Sequence, residues 1–164
     1  MRMSSLHPIV TTERFAETKT FYRALQFTYA FEGEWYFHLI WPGNPALQLA
    51  FMRPEQPDQH PLFQTRFSGK GLFLGLEIAD VDAVHDDLLR RGFEIEVGLR
   101  DEPWGQRHFA IQDPNGIVLD FYALTEPTAA YADQYADQSG DSGKGQRTGT
   151  RETARLALIE PALG

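Results

Sequence analysis

Apolar positions over residues 5–124 follow two rhythms. Spacings of three and four residues predict two helices. One spans 15–25, with Phe15, Phe21, Tyr22 and Leu25 on one side, and the other spans 82–91, with Val84, Leu88 and Leu89. Asp80 or Asp82 is the expected N-cap of the second helix, and Gly92 its stop. Short alternating or aromatic runs predict eight strands. Four lie in the first half (7–11, 27–31, 35–40, 46–51) and four in the second (72–78, 93–99, 107–112, 117–122). Each half reads strand, helix, strand, strand, strand.

The halves also match residue by residue. Adding 66 takes His7 to Phe73 and Phe27 to Phe93; a longer loop then makes the offset 72, pairing Phe37 with Phe109, Pro42 with Pro114, Leu47 with Leu119 and Leu49 with Phe121. Both last hairpins turn on Pro, Gly and Asn: Trp41-Pro42-Gly43-Asn44 and Asp113-Pro114-Asn115-Gly116. The expectation is an α+β fold of two βαβββ modules, with the first in 1–58, a linker over 59–71 and the second in 72–124.

After Thr125 the pattern stops. Residues 125–150 are rich in Gly, Ser, Gln, Asp and Thr and nearly lack large aliphatics, so they cannot bury enough apolar surface to offset chain entropy. A mobile stretch is expected there, then a short helix over 151–163 through Ala154, Leu156 and Leu158, ended by Pro161. The segment 125–164 reads as mostly disordered.

Composition narrows the chemistry. The 164 residues include no cysteine, which excludes disulfides, thiolate ligands and thiol nucleophiles. The net charge is −8, and residues 1–124 alone hold 17 acidic against 11 basic side chains. Phosphate contacts need clustered Lys and Arg, so a nucleic-acid partner is not expected. Acidity suits a cationic ligand or simply keeps the protein soluble. No apolar run approaches the ~20 residues of a membrane span, and residues 1–12 lack a basic stretch followed by an apolar one. A cytoplasmic protein is expected.

Four sequence features carry a family resemblance. Trp104-Gly105-Gln106-Arg107-His108-Phe109 and Asp113-Pro114-Asn115-Gly116 stand in the second half; Phe21-Tyr22 lies on the first helix, and Asp80-Val81-Asp82-Ala83 enters the second. Together they resemble the vicinal-oxygen-chelate superfamily of glyoxalases, bleomycin-resistance proteins and dioxygenases, over about residues 5–124. The resemblance implies paired modules whose curved mixed sheets form a cleft, and a homodimer. It also implies metal-ligand positions at His7, Gln48, Phe73 and Asp120, and the repeat pairs the first with the third and the second with the fourth.

His7 and Asp120 are usable ligands, Gln48 offers a weak amide oxygen and Phe73 offers nothing. A catalytic metal wants three good protein ligands and an open position. The resemblance is therefore to the metal-free, drug-binding resistance members. No metal or cofactor is expected, and an aromatic small molecule is sequestered in a cleft lined by His7, Trp35, Phe37, His38, Gln48, Phe73, Trp104, Arg107, Phe109, Asp120 and Tyr122. Alternation along strands turns about half of such rings into the core. The alternatives are a metal-dependent lyase, isomerase or dioxygenase using His7, Asp120 and Gln48, acid–base catalysis by an Asp120/His7 couple, and a structural dimer with a vestigial cleft.

Other groups point to no chemistry. His60 and His108 lack an identifiable partner, His38 reads as a satisfied strand residue, and His85 reads as solvent-facing. Arg107 has Asp101, Glu102 and Asp113 as candidate partners. Ser4, Ser5 and Ser68 have no elbow sequence, and Gly69-Lys70-Gly71 is too short for a phosphate loop.

Overall fold

The computed structural model describes residues 5–132, 134 and 135. In chain order it runs β1 (Ile9–Thr11), α1 (Phe15–Ala24), β2 (Thr28–Glu32), β3 (Tyr36–Trp41), β4 (Asn44–Met52), a 3-10 turn (Pro61–Phe63), β5 (Phe73–Glu77), α2 (Val81–Arg90), β6 (Val97–Glu102), β7 (Gln106–Gln112), β8 (Val118–Leu124) and α3 (Ala129–Ala132). The strands form two four-stranded mixed sheets, ordered β1-β4-β3-β2 and β5-β8-β7-β6, with β1 parallel to β4 and β5 parallel to β8. This is the α+β arrangement of two βαβββ modules.

Local chemistry sets the helix ends. The Asp80 carboxylate accepts from the Ala83 amide at 3.0 Å and caps α2, and Gly92, at φ +82°, follows its last turn. The repeat places Gln26 at the position of Gly92, and it holds the same left-handed conformation at φ 71°. Each helix covers one sheet face. Phe15 meets Phe37 edge-on at 4.8 Å and Tyr22 packs on Phe51 at 5.0 Å; in the second module His85 meets Phe109 edge-on at 5.1 Å. The core spans both modules through these rings and Leu39, Leu49, Leu88, Ile111 and Leu119.

A polar clasp also joins the modules. Asn115, in the last hairpin turn, accepts from the Thr12 hydroxyl and donates through Nδ2 to Thr18 Oγ1 at 3.0 Å. The buried Asp113 carboxylate accepts from the amides of Asn115 and Ile117, and the Tyr22 hydroxyl donates to it at 3.2 Å. Buried polar groups are tolerated when partnered in this way.

Three sequence expectations change. The strand expected at 93–99 starts only at Val97, because Phe93 and Ile95 pack against the core from a loop. His85 is half-buried against Phe109 and does not face solvent. Residues 125–132, expected to be mobile, run back along the β6–β7 turn and end in α3. The helix expected over 151–163 and the mobile stretch from residue 136 onward lie outside the described residues.

The repeat needs a finer map as well. Phe37 stacks on Phe51 and Phe109 on Phe121, so β3 and β7 keep the offset of 72 while β4 and β8 take 70. Ile9 opposite Ala50 and Gly75 opposite Asp120 say the same from the parallel side. The first hairpin is two residues longer, and its ladder slips between Ile40 and Trp41. Leu49, not Leu47, therefore matches Leu119, and Ala50, not Gln48, stands where Asp120 does.

Candidate ligand-binding site

Side chains alternate along strands, so the residues between the core positions face away from the helices. In the first sheet these are Tyr36 and His38 on β3, Gln48, Ala50 and Met52 on β4, and Ile9 and Thr11 on β1. Phe73, Gly75, Glu77, Asp120, Tyr122 and His108 hold the same place in the second. Phe37 and Phe109 belong to the opposite face. Both are fully buried in aromatic stacks beneath the helices, which corrects their assignment to the cleft.

On the first sheet the helix-free face carries a row of rings. Trp35 lies 5.9 Å from Tyr36, Tyr36 meets His38 edge-on at 6.3 Å, and His38 lies 4.4 Å from His7 at an interplanar angle of 37°. Gln48 fixes the middle of the row. Its amide nitrogen donates to the Pro45 carbonyl at 2.9 Å, which leaves Oε1 to accept from His38 Nε2 at 3.0 Å. That contact requires the proton on Nε2. Beside the row is a cavity of about 740 Å³, with Ile9, Tyr36 and Met52 on its sheet side and Leu62 and Phe63 from the segment between the modules on the other. Burial raises the Tyr36 hydroxyl above its ordinary pKa, so it stays a neutral donor near pH 7.

The second sheet presents a different chemistry. His108 Nδ1 lies 2.7 Å from Asp120 Oδ1, and its Nε2 lies 3.2 Å from Glu102 Oε1. Glu102 is nearly buried and also takes Arg100 Nε at 2.5 Å. Burial raises the Tyr122 hydroxyl, helped by the negative charges of Glu77 and Asp120. Trp104, more than a third exposed, stands at the tip of the β6–β7 hairpin with its ring 6.5 Å from His108. Arg107 points elsewhere: it takes both Asp82 oxygens at 2.9 and 2.8 Å and Asp101 at 3.0 Å.

The four implied metal positions do not make a metal site. Gln48 is spent on His38 and Pro45, Asp120 on His108, and Phe73 presents a 68% exposed ring with no donor. His7 lies tilted against the His38 ring, and its Nδ1 is buried without a hydrogen-bond partner. One imidazole among these neighbours falls short of the three ligands a catalytic metal needs. The contacts of His7 and Asp120 also lead to different partners, so no His7/Asp120 couple forms a hydrogen bond.

Sequence reasoning missed Arg100, named Glu102 only as a candidate partner of Arg107, and left His108 without a partner. The signal lay across strands: His108 faces Tyr122 on β8 and Arg100 on β6, with Glu102 and Asp120 each two residues along.

The model of the glyoxalase/bleomycin resistance protein/dioxygenase superfamily matches residues 5–121. The chain belongs to that superfamily. A glyoxalase/bleomycin resistance protein/dioxygenase from Nocardioides is 18% identical, with a TM-score of 0.62 over 91% of each chain. A bleomycin-binding protein complexed with bleomycin is 20% identical, with a TM-score of 0.54 over 74% of this chain and 98% of that one. A lactoylglutathione lyase from Agrobacterium tumefaciens is 15% identical, with a TM-score of 0.60 over 74% of this chain and 95% of that one. At such identities these neighbours show the superfamily's fold and no more. No curated protein matches the chain significantly. Among the described residues no helix is long and apolar enough to cross a membrane.

Proposed function

We propose that this superfamily member is a metal-free binding protein that sequesters a planar aromatic small molecule, in the manner of a drug-resistance protein. The observation that carries the reading is the row Trp35–Tyr36–His38–His7 beside a cavity of drug-ligand size. Rings offer flat apolar surface, and Tyr and His add polar edges that orient a ligand. Trp104, Tyr122 and Asp120 supply a second, more acidic surface on the other sheet, and Phe73 and Gln48 complete the helix-free faces. Sequestration needs affinity without a reactive group, and on these faces His38 is held by Gln48 and His108 by Asp120 and Glu102. A bleomycin-binding protein among the fold's neighbours is consistent with it.

The protein acts in the cytoplasm as a homodimer in this reading. Leu6, Ile9 and Phe73, all more than half exposed at the first strands of the two modules, are apolar surface that a second copy covers. Titration with bleomycin, enediynes and anthraquinones, followed by Trp fluorescence, tests the reading. At least one compound should bind with a Kd below about 100 μM, roughly −5.5 kcal/mol; none doing so overturns it.

A further inference from the structure

We propose that residues 125–132, which follow β8, are part of the binding site, a strap that positions Trp104, with Tyr131 as the residue that sets its ring. The proposal rests on the binding function inferred above and extends it to residues outside both modules.

The strap is tied to the hairpin tip at successive points. The Thr125 amide donates to the Gly105 carbonyl at 2.9 Å, and the Thr128 amide and hydroxyl both donate to the Pro103 carbonyl, at 2.9 and 3.1 Å. The Tyr135 hydroxyl donates to the Trp104 carbonyl. These contacts fix the backbone on both sides of Trp104.

Gly105 shows that the approach is built into the turn. It sits at φ +90°, and a Cβ there would lie 2.9 Å from Thr125 O and from Pro127 N, closer than real Cβ atoms come to backbone. Glycine serves two needs at once, the left-handed turn and the passage of the strap.

The side chains then continue the surface outward. Tyr131, on α3, meets Trp104 edge-on at 6.4 Å, and Trp104 meets His108 edge-on at 6.5 Å. Trp104 Nε1 donates to Gln106 Oε1 at 2.8 Å, which holds the indole from its polar edge. A three-ring row, Tyr131–Trp104–His108, thus leads from the strap onto the second sheet, as Trp35–Tyr36–His38–His7 does on the first. Without Tyr131 the indole keeps one edge contact and gains rotamers, and a ligand must then order it on binding.

Three variants test this: Tyr131→Ala, Tyr131→Phe and Gly105→Ala. Acrylamide quenching of Trp104 is read in a Trp35→Phe/Trp41→Phe background, amide exchange at Thr125 and Thr128 in the full chain, and affinity for bleomycin (or mitoxantrone, if bleomycin does not bind) with both tryptophans retained. Tyr131→Ala should raise the quenching constant about twofold and weaken binding about fivefold, one contact's worth. Tyr131→Phe should restore both, and Gly105→Ala should speed exchange at both threonines. Unchanged quenching in Tyr131→Ala overturns the proposal, as does raised quenching with unchanged affinity. If the wild type binds neither compound, affinity is read with whichever enediyne binds; if nothing in the panel binds the functional reading fails, and quenching and exchange decide the strap by themselves.

Discussion

His108 on β7 spans two carboxylates, with Asp120 Oδ1 2.7 Å from Nδ1 and Glu102 Oε1 3.2 Å from Nε2. The two carboxylates hold the imidazole from its two ring nitrogens, one from each neighbouring strand side of β7. Removing it leaves Glu102 with Arg100 alone and Asp120 with no partner at the centre of β8. His108→Ala should destabilise the protein by about 2 kcal/mol in urea unfolding. Asp120→Asn in the same background should recover part of that loss, and equal stability of His108→Ala and wild type would show that the bridge contributes nothing.

The clasp at Asn115 predicts a larger effect at the junction of the modules. Asn115→Ala removes the acceptor for Thr12, the donor to Thr18 and one donor to Asp113, and these three partners are buried. The expected loss is about 2–3 kcal/mol. Unfolding should stay a single transition if the two modules form one cooperative core, and calorimetry distinguishes one transition from two.

Tyr22 makes the stability sensitive to alkali. Its hydroxyl is buried against Asp113, and burial first, then the Asp113 charge, hold its pKa far above the ordinary ~10. A raised pKa favours the protonated folded form, so this stabilisation is intact below pH ~10 and is lost as pH rises beyond it. Melting temperature should fall above pH 10 more steeply in wild type than in Tyr22→Phe. Parallel curves would remove Tyr22 as the cause.

Arg107 predicts a dependence of opposite sign. Its hydrogen bond holds the Asp82 carboxylate below the usual range. A depressed carboxylate stabilises the fold above the unfolded value near 4, and the contribution fades as pH falls below it. Arg107→Gln should lower the melting temperature slightly at pH 7 and hardly at all at pH 3, because the pair is solvent-exposed. A larger deficit at pH 3 than at pH 7 contradicts this.

How much of this was legible in the sequence depended on distance along the chain. Local patterns placed both helices and seven strands within a few residues, because amphipathic spacing and the Asp80 and Gly92 end signals act within one turn. Phe93 and Ile95 misled because a loop lying on the core shows the same apolar alternation as a strand. The two extra residues of the first hairpin hid behind the match of Pro42 with Pro114, so Gln48 was set against Asp120 in place of Ala50. His108 looked unpartnered because its acids lie 6 and 12 residues away on neighbouring strands, and Arg107 meets Asp82 across 25 residues. Such pairs exist only once the register is fixed.

The central claim is that the site binds an aromatic ligand without a metal. Trp-fluorescence titration with bleomycin and anthraquinones, run on protein stripped with a chelator and again after adding Zn, Ni, Mn or Fe, tests it most directly. The same Kd, below about 100 μM, is expected in every preparation. Binding that vanishes with chelation, returns with one metal and is lost in His7→Ala would contradict it.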